Sequence, residues 1–76
     1  MIEVVFGKIL KEIRIENKIS QEKLAEYCDL DRTYISMLER GLRQPTLTTI
    51  FKISKALKIL PSELIRKIEI QDENCY

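Results

Sequence analysis

Residues 21–41 read QEKLAEYCDLDRTYISMLERG, and the reading of this stretch decides the fold. Leu24, Ala25 and Cys28 share one side of a helical wheel, and Ile35 and Leu38 share another, so each half carries one apolar stripe at the 3.6-residue period. Ser20 precedes the first half as a hydroxyl N-cap, with Glu22 in the first turn, where the helix dipole favours an acid. Asp31 stands as the cap of the second half. Gly41 closes that half in the left-handed conformation that glycine adopts without a Cβ clash. The spacing predicts one helix over 21–28 and a second over 32–40. Only Asp29, Leu30 and Asp31 join them. Short helices on so tight a link cannot run antiparallel; they cross steeply, with small Ala25 at the close approach, Leu30 plugging the turn, and Ile35 and Leu38 holding the second rod from beneath.

Outward from this pair the pattern stays helical. Phe6, Ile9, Leu10 and Ile13 fall at i, i+3, i+4 and i+7, which predicts a first helix over residues 4–17. Pro45 interrupts any continuation beyond Gly41. Thr46 then caps a fourth helix through residue 57, with Leu47, Ile50, Phe51, Ser54 and Leu57 expected to face inward. Pro61 suits the first position of a fifth helix, where its missing N–H costs nothing. That helix carries Leu64, Ile65 and Ile68, and a polar tail over 71–76 is expected to fray. The fold class is all-α: five short helices around one core, in a single domain over residues 1–70 whose paired helices occupy about 21–40.

The composition excludes several functions. The chain has 76 residues, 45% of them hydrophobic, and 13 Lys+Arg against 12 Asp+Glu give a net charge of +1. Any polyanion it binds must meet positive charge gathered on one face. Charged residues interrupt every apolar stretch, so neither a membrane span nor a signal peptide is expected, and the reading is cytoplasmic. Cys28 and Cys75 are expected as reduced thiols, the latter in the tail. With no His there is no zinc-ligand set and no nucleophile–His pair. Glu12 with Glu16 and Glu22 with Glu26 are spaced as solvated helix faces. No enzyme, metal, cofactor or small-molecule ligand is expected.

Four pieces in order carry a family resemblance: Gln21-Glu22-Lys23-Leu24-Ala25, Tyr34-Ile35-Ser36, Leu38-Glu39-Arg40-Gly41 and Arg43-x-Pro45-Thr46-Leu47. Together they resemble the Cro/CI-type (XRE) helix-turn-helix family, across residues 6–68. Arg32-Thr33-Tyr34-Ile35-Ser36 followed by Glu39-Arg40-Gly41-x-Arg43 is most similar to the controller proteins of restriction–modification systems. The resemblance implies a lambda-repressor-like domain that regulates transcription by binding operator DNA. The core leaves Arg32, Thr33, Tyr34, Ser36, Met37 and Arg40 on the outer side of the third helix. An arginine at its start suits the O6 and N7 acceptors of guanine. By resemblance, Arg32, Thr33, Ser36 and Met37 are base-contact candidates. Gln21, Tyr34, Arg40 and Arg43 are phosphate candidates, with Lys18 and Thr46 as additions. Tyr34 is read equally well as packing its ring on the second helix. In the family, a salt bridge at the positions of Arg14 and Glu39 ties the first helix to the end of the third.

The chain departs from the family pattern at three places. Asp29 stands where the turn usually has Gly, and Lys58 where a Gly often ends the fourth helix, so that end is expected to be less sharp. Leu60, which cannot cap, precedes Pro61. The apolar cluster Ile59, Leu60, Ile65 and Ile68 is read as a homodimer interface. Such a dimer would set two recognition helices roughly 34 Å apart, about one turn of B-DNA, on a palindromic operator. Pairing of dimers into tetramers stays open. The other readings are a phage or mobile-element repressor, an antitoxin, or a protein-interaction module on the same fold.

Overall fold

The structure is a computed structural model that describes residues 1–72. Five helices follow one another: α1 (Ile2–Glu16), α2 (Gln21–Cys28), α3 (Arg32–Glu39), α4 (Leu47–Ala56) and α5 (Pro61–Gln71). The all-α class and the tightly linked α2–α3 pair are as the sequence indicates. Ser20 Oγ accepts from the Lys23 amide at 3.0 Å, and Thr46 Oγ1 accepts from the Thr49 amide at 3.1 Å. Asp31 holds the extended cap conformation, but its side chain makes no capping bond, a correction to the expected carboxylate cap. At α5 the roles reverse. Leu60 offers no acceptor, and its own amide donates instead to Glu63 Oε1 at 3.2 Å.

Four helix ends close alike, on residues with positive φ: Lys18 (58°), Asp29 (55°), Gly41 (74°) and Lys58 (58°). In each, the next residue's amide reaches back to a carbonyl five positions earlier: Ile19 to Arg14, Leu30 to Ala25, Leu42 to Met37 and Ile59 to Ser54, at 2.9–3.4 Å. This is the Schellman closure, which couples a left-handed residue to an apolar one behind it. Ile19, Leu30 and Ile59 all pack against the core. That burial holds two lysines and an aspartate in a conformation costing roughly 1–2 kcal/mol for a residue with a Cβ. The end of α4 at Lys58 is therefore as sharp as the others, contrary to expectation.

Phe6, Ile9, Leu10, Leu24, Ile35, Leu38, Ile53 and Leu64 form the centre of the core. On α4 the inward face is Thr49, Ile50, Ile53, Ser54 and Leu57, whereas Leu47 (73% exposed) and Phe51 (60%) turn out. The expected inward placement of those two is corrected. The α4 sequence is apolar enough to satisfy the helical period on two overlapping stripes, and only packing against α2 and α5 chooses between them. Ile68, read as an outward interface residue, is 5% exposed and belongs to the core. Ile59 is likewise half-buried, because the closure of α4 draws it inward. α5 runs through Gln71 and Asp72 is buried, so the packed body passes the boundary expected at residue 70. Residues 73–76, including Cys75, lie outside the described residues. No helix among the described residues is long and apolar enough to cross a membrane.

Candidate nucleic-acid interface

Ile35 and Leu38 are fully buried and anchor α3 on one side. The same pitch leaves Arg32, Thr33 and Arg40 exposed and Ser36 and Met37 half-exposed on the other. The structure thus gathers Arg32, Thr33, Ser36 and Met37 on the outer face of one rod of eight residues. Arg40 folds back, its Nε donating to the Ser36 carbonyl at 3.4 Å. No carboxylate among the described residues pairs with Arg32, Arg40 or Arg43. Their charge faces outward uncompensated.

The far end of α3 is clamped. Arg14 Nε donates to Glu39 Oε2 at 2.6 Å and its Nη2 donates to Oε1 at 3.1 Å. Arg14 Nη1 donates to the Ile19 carbonyl at 2.9 Å, and Gln21 Nε2 donates to Glu39 Oε1 at 2.9 Å. The side chains of Arg14 and Glu39 are 12% and 3% exposed. The pair is therefore not the partly exposed, weak contact that its charges alone suggest. Two-point geometry with extra hydrogen bonds is what a buried ion pair needs to offset desolvation. Gln21, a phosphate candidate at the start of α2, is fixed by this network to the end of α3.

A second group forms between α3 and α4. The Tyr34 ring packs half-buried against the core, and its hydroxyl lies 3.5 Å from Thr49 Oγ1. The Arg43 guanidinium stands 5.6 Å from the ring centre, within cation–π reach. Thr46 Oγ1 lies 3.0 Å from Thr49 Oγ1 as well as capping α4. The structure brings Tyr34, Arg43 and Thr46 together around Thr49, which sequence reasoning missed. Its signal was a threonine three positions after the capping threonine, on what proves to be the buried face of α4. Lys18 stands apart from that group, exposed in the α1–α2 connector.

Two titrating groups among the described residues are shifted, both off this face. The Glu3 carboxyl is held below its ordinary value by a backbone hydrogen bond and by the Gln44 amide. Burial pushes the Cys28 thiol up, against the opposing charge of Lys52. No group of three or more His, Cys, Asp or Glu among the described residues could hold a metal ion. Away from α3, Phe51, Leu60 and Ile65 remain exposed. Ile65 also lines an open groove of about 440 Å³ whose apolar walls, Phe6, Ile50 and Ile68 among them, are edged by Gln44 and Glu69.

Two short helices on a three-residue link, the second with a polar outer side and clamped at its end by a buried ion pair, define a class. Residues 10–64 match the helix-turn-helix family, and the chain belongs to it. The particular branch follows from the relatives. Control protein C.BamHI of Bacillus amyloliquefaciens is 51% identical over 65 residues, covering 84% of this chain and 80% of that one. Control protein C.MunI of a Mycoplasma species is 46% identical over 69 residues, covering 90% and 93%. The crystal structure of the restriction–modification controller protein C.AhdI from Aeromonas hydrophila superposes with a TM-score of 0.79 at 45% identity, covering 82% of this chain and 94% of that one. The resemblance to restriction–modification controllers read from the motifs is borne out.

Proposed function

We propose that the chain is a sequence-specific DNA-binding regulator of transcription that acts as a homodimer and controls a restriction–modification system. The observation that carries this reading is the outer face of α3: the side chains of Arg32, Thr33 and Ser36 have no hydrogen-bond or ion-pair partner among the described residues, on a rod whose inner face and far end are both fixed. Arg32, at the N-terminal end, forks onto a guanine edge; Thr33, Ser36 and Met37 supply hydroxyl and methyl contacts to neighbouring bases. Gln21, Arg40 and Arg43 take phosphates on either side. Tyr34 holds the Arg43 guanidinium toward the backbone, and Lys18 and Thr46 extend the track.

A single module of this kind buries roughly 600–1,000 Å² on DNA, little for selective binding. A second copy doubles the footprint. Leu60 and Ile65 from the expected interface, joined by Phe51 on α4, supply the exposed apolar surface for it. A two-fold dimer then reads a palindromic operator, and the dimerisation equilibrium makes occupancy depend steeply on protein concentration.

Mobility shift with a pool of random duplexes at two salt concentrations tests the reading. A palindromic sequence is enriched, and its affinity falls steeply with salt as counterions are released from the phosphates. Arg32→Ala keeps the helical circular dichroism and loses about 1–3 kcal/mol of discrimination at one base pair of each half-site. A pool from which no sequence is enriched overturns the proposal in favour of a protein-docking module.

A further inference from the structure

Gly7 lies in the middle of α1, where glycine is a poor helix former, and its φ is not the reason for it. The reason is what it faces. A Cβ built at Gly7 falls 2.5 Å from the Leu38 carbonyl oxygen and 2.6 Å from that of Glu39. Both atoms are backbone of the last turn of α3, so no side-chain rotation relieves the overlap. The backbones of α1 and α3 touch here because a hydrogen stands where every other residue has a carbon. One turn earlier on α1, Val4 lies against Gly41, the left-handed residue just past the end of α3: a Cβ built at Gly41 falls 3.0 Å from Val4 Cγ2 and 3.1 Å from Val4 Cα. Two turns later Arg14 grips Glu39. Three positions along one helix thus bear on the last few residues of the rod whose outer face is offered to DNA.

We propose that Gly7 is a positioning residue for DNA reading: it sets how closely the C-terminal end of α3 sits on α1, and so the angle at which Arg32, Thr33, Ser36 and Met37 meet the base edges. The inference rests on the DNA-reading role given to α3 above. Bidentate hydrogen bonds to base edges tolerate little displacement, whereas phosphate contacts by long, flexible side chains tolerate much more. A methyl group at position 7 pushes the end of α3 away from α1. α3 has few turns over which to absorb that shift, so the displacement tilts the whole rod. The cost therefore falls on discrimination between sequences more than on binding as such.

The experiment compares wild type with Gly7→Ala on the enriched operator and on a random duplex of equal length, at a salt concentration where both affinities are measurable. Wild type must first prefer the operator; if it does not, the DNA-reading assignment fails and this proposal goes with it. Given that preference, the expected result for Gly7→Ala is a loss of operator affinity of at least about tenfold, with random-duplex affinity changed by no more than about twofold, the pattern of lost base readout with phosphate contacts kept. Should the variant be unfolded at the assay temperature, the same substitution is made in a Lys58→Gly background, which relieves the strained lysine closure at the end of α4, and is compared with Lys58→Gly alone. Folded fraction is followed by circular dichroism. An unchanged operator-to-random ratio in folded protein overturns the proposal, as does an equal loss on both duplexes, since a purely structural glycine lowers both together.

Discussion

Arg14, in the last turn of α1, and Glu39, the last residue of α3, stand 25 positions apart in sequence and meet through two hydrogen bonds of 2.6 and 3.1 Å. Gln21 occupies Oε1 from a third direction. One buried carboxylate thereby joins three helices at the point where the recognition rod ends. Removing it leaves the Gln21 amide and the Nε and Nη2 of Arg14 without an acceptor, and only the Ile19 carbonyl still holds the buried guanidinium.

Glu39→Ala is accordingly expected to cost roughly 3–5 kcal/mol, the range for breaking a buried pair from one side. That is a large share of the stability of a domain this small. Replacing Arg14 and Glu39 together by Met and Leu costs far less, because no unpaired charge remains. Urea unfolding of the three proteins checks both statements, and equal costs for the single and double variants contradict the account.

Lys58→Gly tests the strained closures. Lys58 holds a φ of 58°, a region glycine enters freely. The freedom glycine gains in the unfolded chain offsets part of the relief, leaving a net gain of about 0.5–1 kcal/mol. For a domain of this size that is a rise of several degrees in melting temperature, at about 4–8 °C per kcal/mol. Lys18→Gly should behave alike. A fall in melting temperature would mean that packing by the lysine stems outweighs the backbone strain.

Phe51→Glu and Ile65→Glu address self-association. Both side chains are exposed in the monomer, so a charge at either position costs little in folding and much in a dry interface. Sedimentation equilibrium is expected to show wild-type dimers and variant monomers that melt within a few degrees of wild type. Ile68→Glu is the contrast: buried in the core, it unfolds the chain instead.

Cys28 gives a pH dependence. Burial raises its pKa in the folded state, so the native fold favours the neutral thiol. Its contribution to stability is fully present below the ordinary thiol value, about 8.5, where neither state is ionised. It is lost as pH rises through the elevated folded value, since the unfolded chain gives up its proton first. Cys28→Ala should flatten the alkaline limb of a stability–pH curve. An unchanged limb assigns that loss to other groups.

The α2–α3 unit was legible because its inner residues are few and its outer ones polar, so only one stripe fits the helical period. The Arg14–Glu39 pair was legible only through family resemblance, since spacing along a chain says nothing of which charges meet across helices. At α4 the reading failed at Leu47 and Phe51: a helix with apolar residues on more than half its circumference does not declare its buried side. Ile59 and Ile68 were misread for the related reason that an apolar residue near a helix end serves a core or an interface equally well. Thr49 and Gly7 stayed silent because their roles exist only where another element arrives, at the Tyr34 hydroxyl and at the carbonyls of α3.

The sequence by itself determined the helices, the tight turn between α2 and α3, and the residues that face away from the core on the recognition rod, because these follow from local period, caps and breakers. Only the tertiary structure decided which face of α4 is buried, how deeply the ion pair lies, and how closely α1 approaches α3. Those depend on distances between segments far apart in the chain, which packing sets and local sequence does not encode.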